Sequence, residues 1–332
     1  MTKYNKELFE GLLSASQYRL IYDIMPKHLK DCGYTDIEWV GDNLFAHGNV
    51  PIMLVSHADI VGTGQPEEFI YEDNGNIIRA NNRTLGGDDR CGLYIMLEAM
   101  KKLDVRPYIC ITRDEEKGCL GAEEFATKMP CNEYEIKFMI ELDRRGSNDL
   151  VFYDCTDNEE FVKFCEQGTG WREAYGSFSD ICIFMDDWRI CGVNMSCGYY
   201  NEHTPKEHVV ISEMLNTLDT LVKWLNNIDY DTLERFDYIP RPKAYGSYGS
   251  DYEWLLNSYE EGDDLYGDYL YDEDCMDMTI ERDGIEYSIC SDCGALTPLT
   301  QDMYKYNIPL CEDCRHYYDD LTYIDREDYK NF

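Results

Sequence analysis

RPYICITRDEEKGCLGA, residues 106–122, reads as a β-strand that runs into a pair of glutamates. Its PYICIT portion is a short apolar run with β-branched and aromatic residues, the pattern of a buried strand. Glu115 and Glu116 follow just beyond the end of that run. Two other segments repeat the design: PIMLVSH (51–57) ends in His57, and IKFMIELD (136–143) ends in Asp143. In open α/β sheets, ligands gather beyond the carboxyl ends of the strands, so strands with acids or histidine at their tips converge on one crevice. An α/β fold with a mixed sheet flanked by helices is expected.

Further signatures complete the set. GGDDRCG (86–92) opens a predicted helix over 88–103, and its two glycines permit a tight approach ahead of Asp88. YYNEHTP (199–205) carries His203, and SHAD (56–59) places Asp59 two residues past His57. His57, Asp88, Glu115, Glu116, Asp143 and His203 are the donors of a two-metal hydrolase. Zinc accepts imidazole nitrogen and carboxylate oxygen, and a dinuclear site needs one carboxylate to bridge, about two more ligands per ion and an open position for water. In a chain with 66 Asp+Glu, single acidic pairs arise by chance. The order of all these motifs does not readily arise that way.

Two choices stay open on the residues alone. Asp89 competes with Asp88 for the bridging role. Glu141 and Asp143 share one face of a strand because side chains alternate with period two, and Asp143 is preferred as the one at the tip. His208 is placed on a predicted amphipathic helix, KEHVVISEMLNTLDTLVKWLNNI (206–228), and is read as a helix histidine instead of a ligand. His28, His47 and His316 are read as structural.

The order His-x-Asp, Asp-Asp-Arg-x-Gly, Glu-Glu-x-Gly-x-x-Gly-Ala, Asp, His resembles the co-catalytic zinc exopeptidase clan, which includes the bacterial leucyl aminopeptidases, peptidase T and the tetrahedral aminopeptidases. The likeness spans roughly residues 35–225 and is strongest in DDRCG and EEKGCLGA. It implies a zinc exopeptidase-like, phosphorylase/hydrolase-like α/β sandwich. By the same resemblance Asp88 bridges two divalent ions, zinc first, with Mn or Co as alternatives. His57 and Asp143 complete one ion, Glu116 and His203 the other, and Glu115 is the general base. Asp88 alone has the Arg-x-Gly at the clan's spacing. Asp59 orients the His57 imidazole through its second nitrogen.

Spacing separates branches of the clan. His57 and Asp88 are 31 positions apart, and Asp143 and His203 are 60 apart. The first is too few for the domain that tetrahedral aminopeptidases insert, the second too few for the lid of the carboxypeptidase and deacylase branch. The chain therefore resembles the lidless leucyl aminopeptidases, and SDICIF (179–184) is similar to their Ser-Asp-His-x-x-Phe, with Ile181 in place of the histidine. The implied activity is that of an exopeptidase, an aminopeptidase acting on peptides. An amidohydrolase or deacylase acting on acylated amino acids would use the same metals. An inactive relative serving as a binding module is expected to have lost ligands, and here every position is filled.

Composition bounds the rest. The 332 residues suit one large or two smaller domains, and 44% hydrophobic content supports a core. There is no basic start followed by an apolar run, and no membrane-length apolar stretch, so a cytosolic protein with no membrane contact is expected. Ten of the fifteen cysteines fall within residues 1–228 and read as reduced thiols. A net charge of −36 argues against nucleic-acid binding, which is driven by cationic side chains, and leaves a peptide or small amide as the substrate. Residues 229–332 hold 27 Asp+Glu against 8 Lys+Arg. Within them 245–277 is rich in Tyr, Asp and Gly without periodicity, readable as an acidic linker or as an aromatic, acidic strip that docks on a partner.

Near the end, Cys290-Ser-Asp-Cys293 and Cys311-Glu-Asp-Cys314 are separated by 17 residues, the spacing of a tetrahedral thiolate site around one structural zinc. The interval carries a single Lys, which favours protein contact or simple stapling over nucleic acid. The expected division is a catalytic domain at 1–228, an acidic connector at 229–286 and a zinc-ribbon-like module at 287–332.

Overall fold

The apolar runs that end in His57, the glutamate pair and Asp143 become neighbouring strands of one sheet. The computed structural model describes residues 3–239, apart from positions 63, 67, 130–134, 154, 156–157 and 177, together with the backbone of three short strands near the carboxyl terminus. Helix α1 (Lys6–Leu13) leads into a helical run of α2 (Gln17–Arg19), a π-helical turn at Leu20–Ile24 and α3 (Met25–Asp31). Strands β1 (Ile37–Val40), β2 (Asn43–Ala46) and β3 (Val50–His57) follow, then β4 (Phe69–Glu72) and β5 (Ile77–Ala80). Helix α4 (Gly87–Met100), β6 (Pro107–Thr112), α5 (Leu120–Lys128) and β7 (Phe138–Arg144) come next. The remainder is β8 (Asp149–Val151), α6 (Glu159–Thr169), β9 (Arg172–Ala174), α7 (Asp180–Trp188), β10 (Gly192–Ser196), β11 (Tyr199–Tyr200), β12 (His208–Val210) and α8 (Ile211–Asn226).

The main sheet has the order β1-β2-β6-β3-β7-β10-β8-β9, and its middle four strands, β6, β3, β7 and β10, are parallel. A parallel strand covered on both faces is apolar throughout, which is why Ile52 through Val55 of β3 are wholly buried. With β3 between β6 and β7, His57 pairs with Thr112 and Val55 with Glu141, so three strand ends carrying ligand-type residues lie side by side. A second, antiparallel sheet has the order β11-β12-β5-β4. The segment leading to Asp88 leaves β5, and His203 lies on the connection between β11 and β12, so the pairing of β5 with β12 brings those two residues together.

Helix α4 is buried along its whole length, packed on β3 and β7 on one side and against α8 and α1 on the other. Gly92 permits this approach, since a Cβ there would stand 1.9 Å from the Leu142 carbonyl oxygen. Helices α5 and α7 pack on each other and flank the sheet from β1 and β6 across to β10. At the base of β7, Phe138 meets Phe161, Phe164, Trp224 and Phe236 with ring centroids 5.4–6.2 Å apart.

Between Asp143 and His203 the chain builds β8 to β11, α6 and α7, and β8, β9 and β10 all join the main sheet, so the described residues of this interval form no lid domain. Past α8 the chain stays on the core: the Phe236 amide donates to the Lys137 carbonyl at 2.9 Å, and the Cys191 amide to the Phe236 carbonyl at 2.8 Å. Strands β13 (Ile280–Arg282), β14 (Ile285–Ile289) and β15 (Leu296–Pro298) form an antiparallel three-stranded sheet in which Ile289 pairs with Leu296. The connector from 240 to 279 and Cys290, Cys293, Cys311 and Cys314 lie outside the described residues. No helix among the described residues is long and apolar enough to cross a membrane.

Two local expectations need correction. His208 is on β12, not on a helix, because Val209 and Val210 pair with Ile78 and Ile77 of β5 and the helix begins only at Ile211. Its ring stacks on Tyr200 at 5.4 Å, away from any ligand role. Asp88 does not sit in regular helix either: Asp88 and Asp89 have ψ of 108° and 42°, so helical geometry starts at Arg90.

Candidate metal centre

The structure brings the six donors from five segments to one place. Asp88 lies at the middle: its Oδ1 is 3.0 Å from His57 Nε2 and its Oδ2 is 3.3 Å from His203 Nε2. Asp143 stands on the His57 side, with Oδ1 3.5 Å from Nε2. Glu116 stands on the His203 side, with Oε2 2.9 Å from Nε2. Glu115 approaches less closely, with Oε2 3.9 Å from His57 Nε2. His57 is 1% exposed, whereas 41% of the His203 side chain is open, so the site is sealed from the sheet side and entered past His203.

Asp59 organises one half of the cluster. Its Oδ1 is 3.2 Å from His57 Nδ1 and accepts the Glu115 amide at 3.0 Å, while its Oδ2 accepts the Glu116 amide at 3.1 Å. One carboxylate thus fixes the imidazole and both glutamates. Those glutamates occupy a single 3₁₀ turn after β6, entered through Asp114 and left through Gly118, both in the left-handed region.

Hydrogen bonds distinguish the members of the two pairs left open by the sequence. Both oxygens of Asp89 are taken by other groups: Oδ2 accepts from the Ser56 hydroxyl and the His57 amide, the latter at 3.3 Å, and Oδ1 accepts the Gly92 amide at 3.0 Å. Glu141 is captured by the Ile181 amide at 3.1 Å and by Asn194 Nδ2 at 2.7 Å. Asp143 is the one that faces His57. Sequence reasoning missed its supports, Ser179 Oγ donating to Oδ2 at 2.9 Å and Tyr199 OH donating to Oδ1 at 3.1 Å. Both residues lie inside motifs already singled out, but nothing local points them at a strand 36 and 56 positions away. Ile181 is fully buried against Gly192, so its position offers the site no polar group. His47 bonds Glu38 at 2.7 Å, far along the sheet, and His28 sits half-buried on α3.

Electrostatics show what the cluster lacks. Burial pushes the Asp143 carboxyl up to about 6 and Glu116 to about 7, with the Asp88 charge adding to both, and burial lifts Glu115 well above the usual carboxylate range. Burial works the same way on Asp88, but hydrogen bonds and charge from His203 and His57 override it and hold its carboxyl well below the usual range. His57 is raised despite burial, chiefly by the charge of Asp143. Among the described residues no Lys or Arg pairs with Asp88, Glu115, Glu116 or Asp143; all their ion pairs are with the two histidines. A buried set of carboxylates without matching cationic side chains calls for bound cations. Donor atoms of His57, Glu115 and Glu116, of His57, Asp89 and Asp143, and of Asp88, Glu116 and His203 lie within 4.8 Å of one another in each group. Nitrogen and carboxylate oxygen donors of this kind fit divalent zinc or a similar ion.

Known proteins agree with this chemistry. Residues 39–164, which hold every donor except His203, match peptidase family M28. The fold is similar to that of aminopeptidase PepT from Bacillus cereus, at 16% identity and a TM-score of 0.54 over 66% of this chain and 96% of that one. A tripeptidase from Staphylococcus aureus gives 15% identity and 0.54 over 66% and 96%. A TET aminopeptidase from a marine-sediment Thaumarchaeota archaeon gives 13% and 0.53 over 68% and 97%. No curated protein sequence matches. The M28 match over residues 39–164 and the fold support a metallopeptidase and are consistent with the co-catalytic zinc exopeptidase clan. The chain is a metallopeptidase, and divalent metal ions are its cofactors.

Proposed function

We propose that the chain is an aminopeptidase with a dinuclear centre. Asp88 bridges two ions, zinc foremost; His57 and Asp143 complete one, Glu116 and His203 the other, and Glu115 is the general base. The observation that carries this reading is that the two carboxylate oxygens of Asp88 each face one histidine, at 3.0 and 3.3 Å, with a further acid on each side and a glutamate left over. Divalent cations bound by these residues would supply Lewis acidity for a water molecule and for the scissile carbonyl. Glu115, its backbone held by Asp59, takes the water proton and passes it to the departing amine. Tyr199 and Ser179 keep Asp143 turned toward His57.

The direction of attack follows from where the basic residues are. Between Asp143 and His203 four of the five basic residues are paired with carboxylates, Arg145 with Glu202 at 2.8 Å, Lys163 with Glu159 at 2.7 Å, Arg189 with Asp186 at 3.0 Å and Arg172 with Glu166 at 3.6 Å, while Arg144 donates to the Tyr175 carbonyl at 3.0 Å and keeps its Nε without a bond. Four of the five are thus bound to carboxylates already, and the cluster itself is built of acids, which suits a substrate's amino terminus better than its carboxylate. Acetylating the amine of a test peptide should therefore abolish cleavage, and amidating its carboxyl end should not. Release of the C-terminal residue from an acetylated peptide, or of acetate from an N-acetyl amino acid, would mark an amidohydrolase instead.

The four cysteines at 290, 293, 311 and 314 are proposed to hold one structural zinc, and the backbone supports this in that β14 and β15 pair on either side of the first CxxC. Fully loaded protein should then contain three divalent ions by elemental analysis, and Cys293→Ser with Cys314→Ser should remove one of them. A single ion in the wild type would overturn the dinuclear reading. A cytosolic location accords with the nine described cysteines, none of which is in a disulfide.

A further inference from the structure

Glu207 is fully buried, and its carboxylate faces the backbone that carries Asp88. Its Oε2 accepts the amides of Leu85 and Gly86, both at 2.8 Å, and its Oε1 accepts the amide of Asp88 at 3.1 Å. Amides ahead of a helix have no acceptor within it and are ordinarily satisfied by a neighbouring cap residue. Here Gly86 stands at the cap position in the left-handed region, has no side chain to offer, and is crowded by Ile60, 2.8 Å from where a Cβ would be. The acceptor comes instead from a residue 119 positions away from Asp88.

The same residue closes a turn with the other half of the site. The Glu207 amide donates to the Thr204 carbonyl at 3.0 Å, and Thr204 follows His203 directly. The five-residue segment from His203 to Glu207 therefore touches Asp88 twice, with the His203 ring on its Oδ2 and the Glu207 carboxylate on its amide. Grip on both side chain and backbone leaves Asp88 little freedom to swing away from either histidine. We propose that Glu207 is a positioning residue that sets Asp88 between the two ions; this rests on the dinuclear reading above. It touches neither substrate nor metal and acts through the backbone of Asp88.

The test is metal affinity of the folded apoprotein, read by competition with a chromophoric chelator for Zn²⁺, with thermal unfolding of the same samples followed alongside. Glu207→Gln keeps the shape but turns an NH₂ toward backbone N–H groups. Affinity for both ions should fall by about 10–100-fold, the usual cost of removing an outer partner of a metal ligand. Glu207→Asp keeps the charge, falls one methylene short and should lose less; it decides the matter if the glutamine variant does not fold. If the variants melt earlier but bind both ions as tightly as the wild type, Glu207 is merely structural and the proposal is wrong. If the wild type itself binds fewer than two ions at this site, the dinuclear reading fails instead.

Discussion

Glu115→Gln is expected to cut turnover by roughly 10²–10⁴-fold and to leave the active-site ions bound. Glutamine preserves size, and the residue's amide stays on Asp59 at 3.0 Å. What is lost is the basic oxygen. Glu115 is also the acid that stands back from the histidines, at 3.9 Å, where Asp88, Glu116 and Asp143 come within 2.9–3.5 Å. A group poised to move a proton needs that freedom, whereas a ligand needs contact. Glu116→Gln, which alters the oxygen 2.9 Å from His203, should reduce metal affinity together with turnover. Steady-state kinetics and metal analysis on the two variants separate the roles. Metal loss in Glu115→Gln with retention in Glu116→Gln would invert them.

The strand ends were readable in the sequence because the signal is local. An apolar run such as PIMLVSH both forms the buried strand and delivers its last residue to the crevice, and the parallel pairing of β6, β3 and β7 puts three such ends together. The residues alone left Asp88 and Asp89 open, and only the Arg-x-Gly spacing of the resemblance favoured Asp88, because the Ser56 hydroxyl and the His57 and Gly92 amides claim Asp89 only once β3 and α4 have packed. Likewise a period of two puts Glu141 and Asp143 on one face, but only the neighbouring β10 brings Asn194 up to capture Glu141. His208 went astray because Val209 and Val210 continue the apolar periodicity of α8, and pairing with β5 overrides that propensity. Glu207 gives no sequence signal at all: its partners are backbone amides, which every sequence has.

Asp88→Asn should be the most damaging single change to the centre. The carboxylate faces both histidines, whose hydrogen bonds and charge hold its carboxyl below the usual range. Asparagine removes the charge and replaces one of the two oxygens with a donor that cannot bind a cation, so His57 and His203 lose their shared partner together. Both active-site ions should be lost on gel filtration, with activity at or below that of Glu115→Gln and affinity reduced beyond the about 10–100-fold that an outer partner costs. Asp89→Asn is the matched control. Its oxygens take a hydroxyl and two amides, so the substitution should lower unfolding free energy by about 1–3 kcal/mol for a buried hydrogen-bonding group left mispaired, while the ions remain. Denaturant melts and metal content distinguish the two. If Asp89→Asn sheds the ions and Asp88→Asn keeps them, then the bridge is Asp89 and the clasp that Glu207 makes around the Asp88 amide serves the fold instead of the metal.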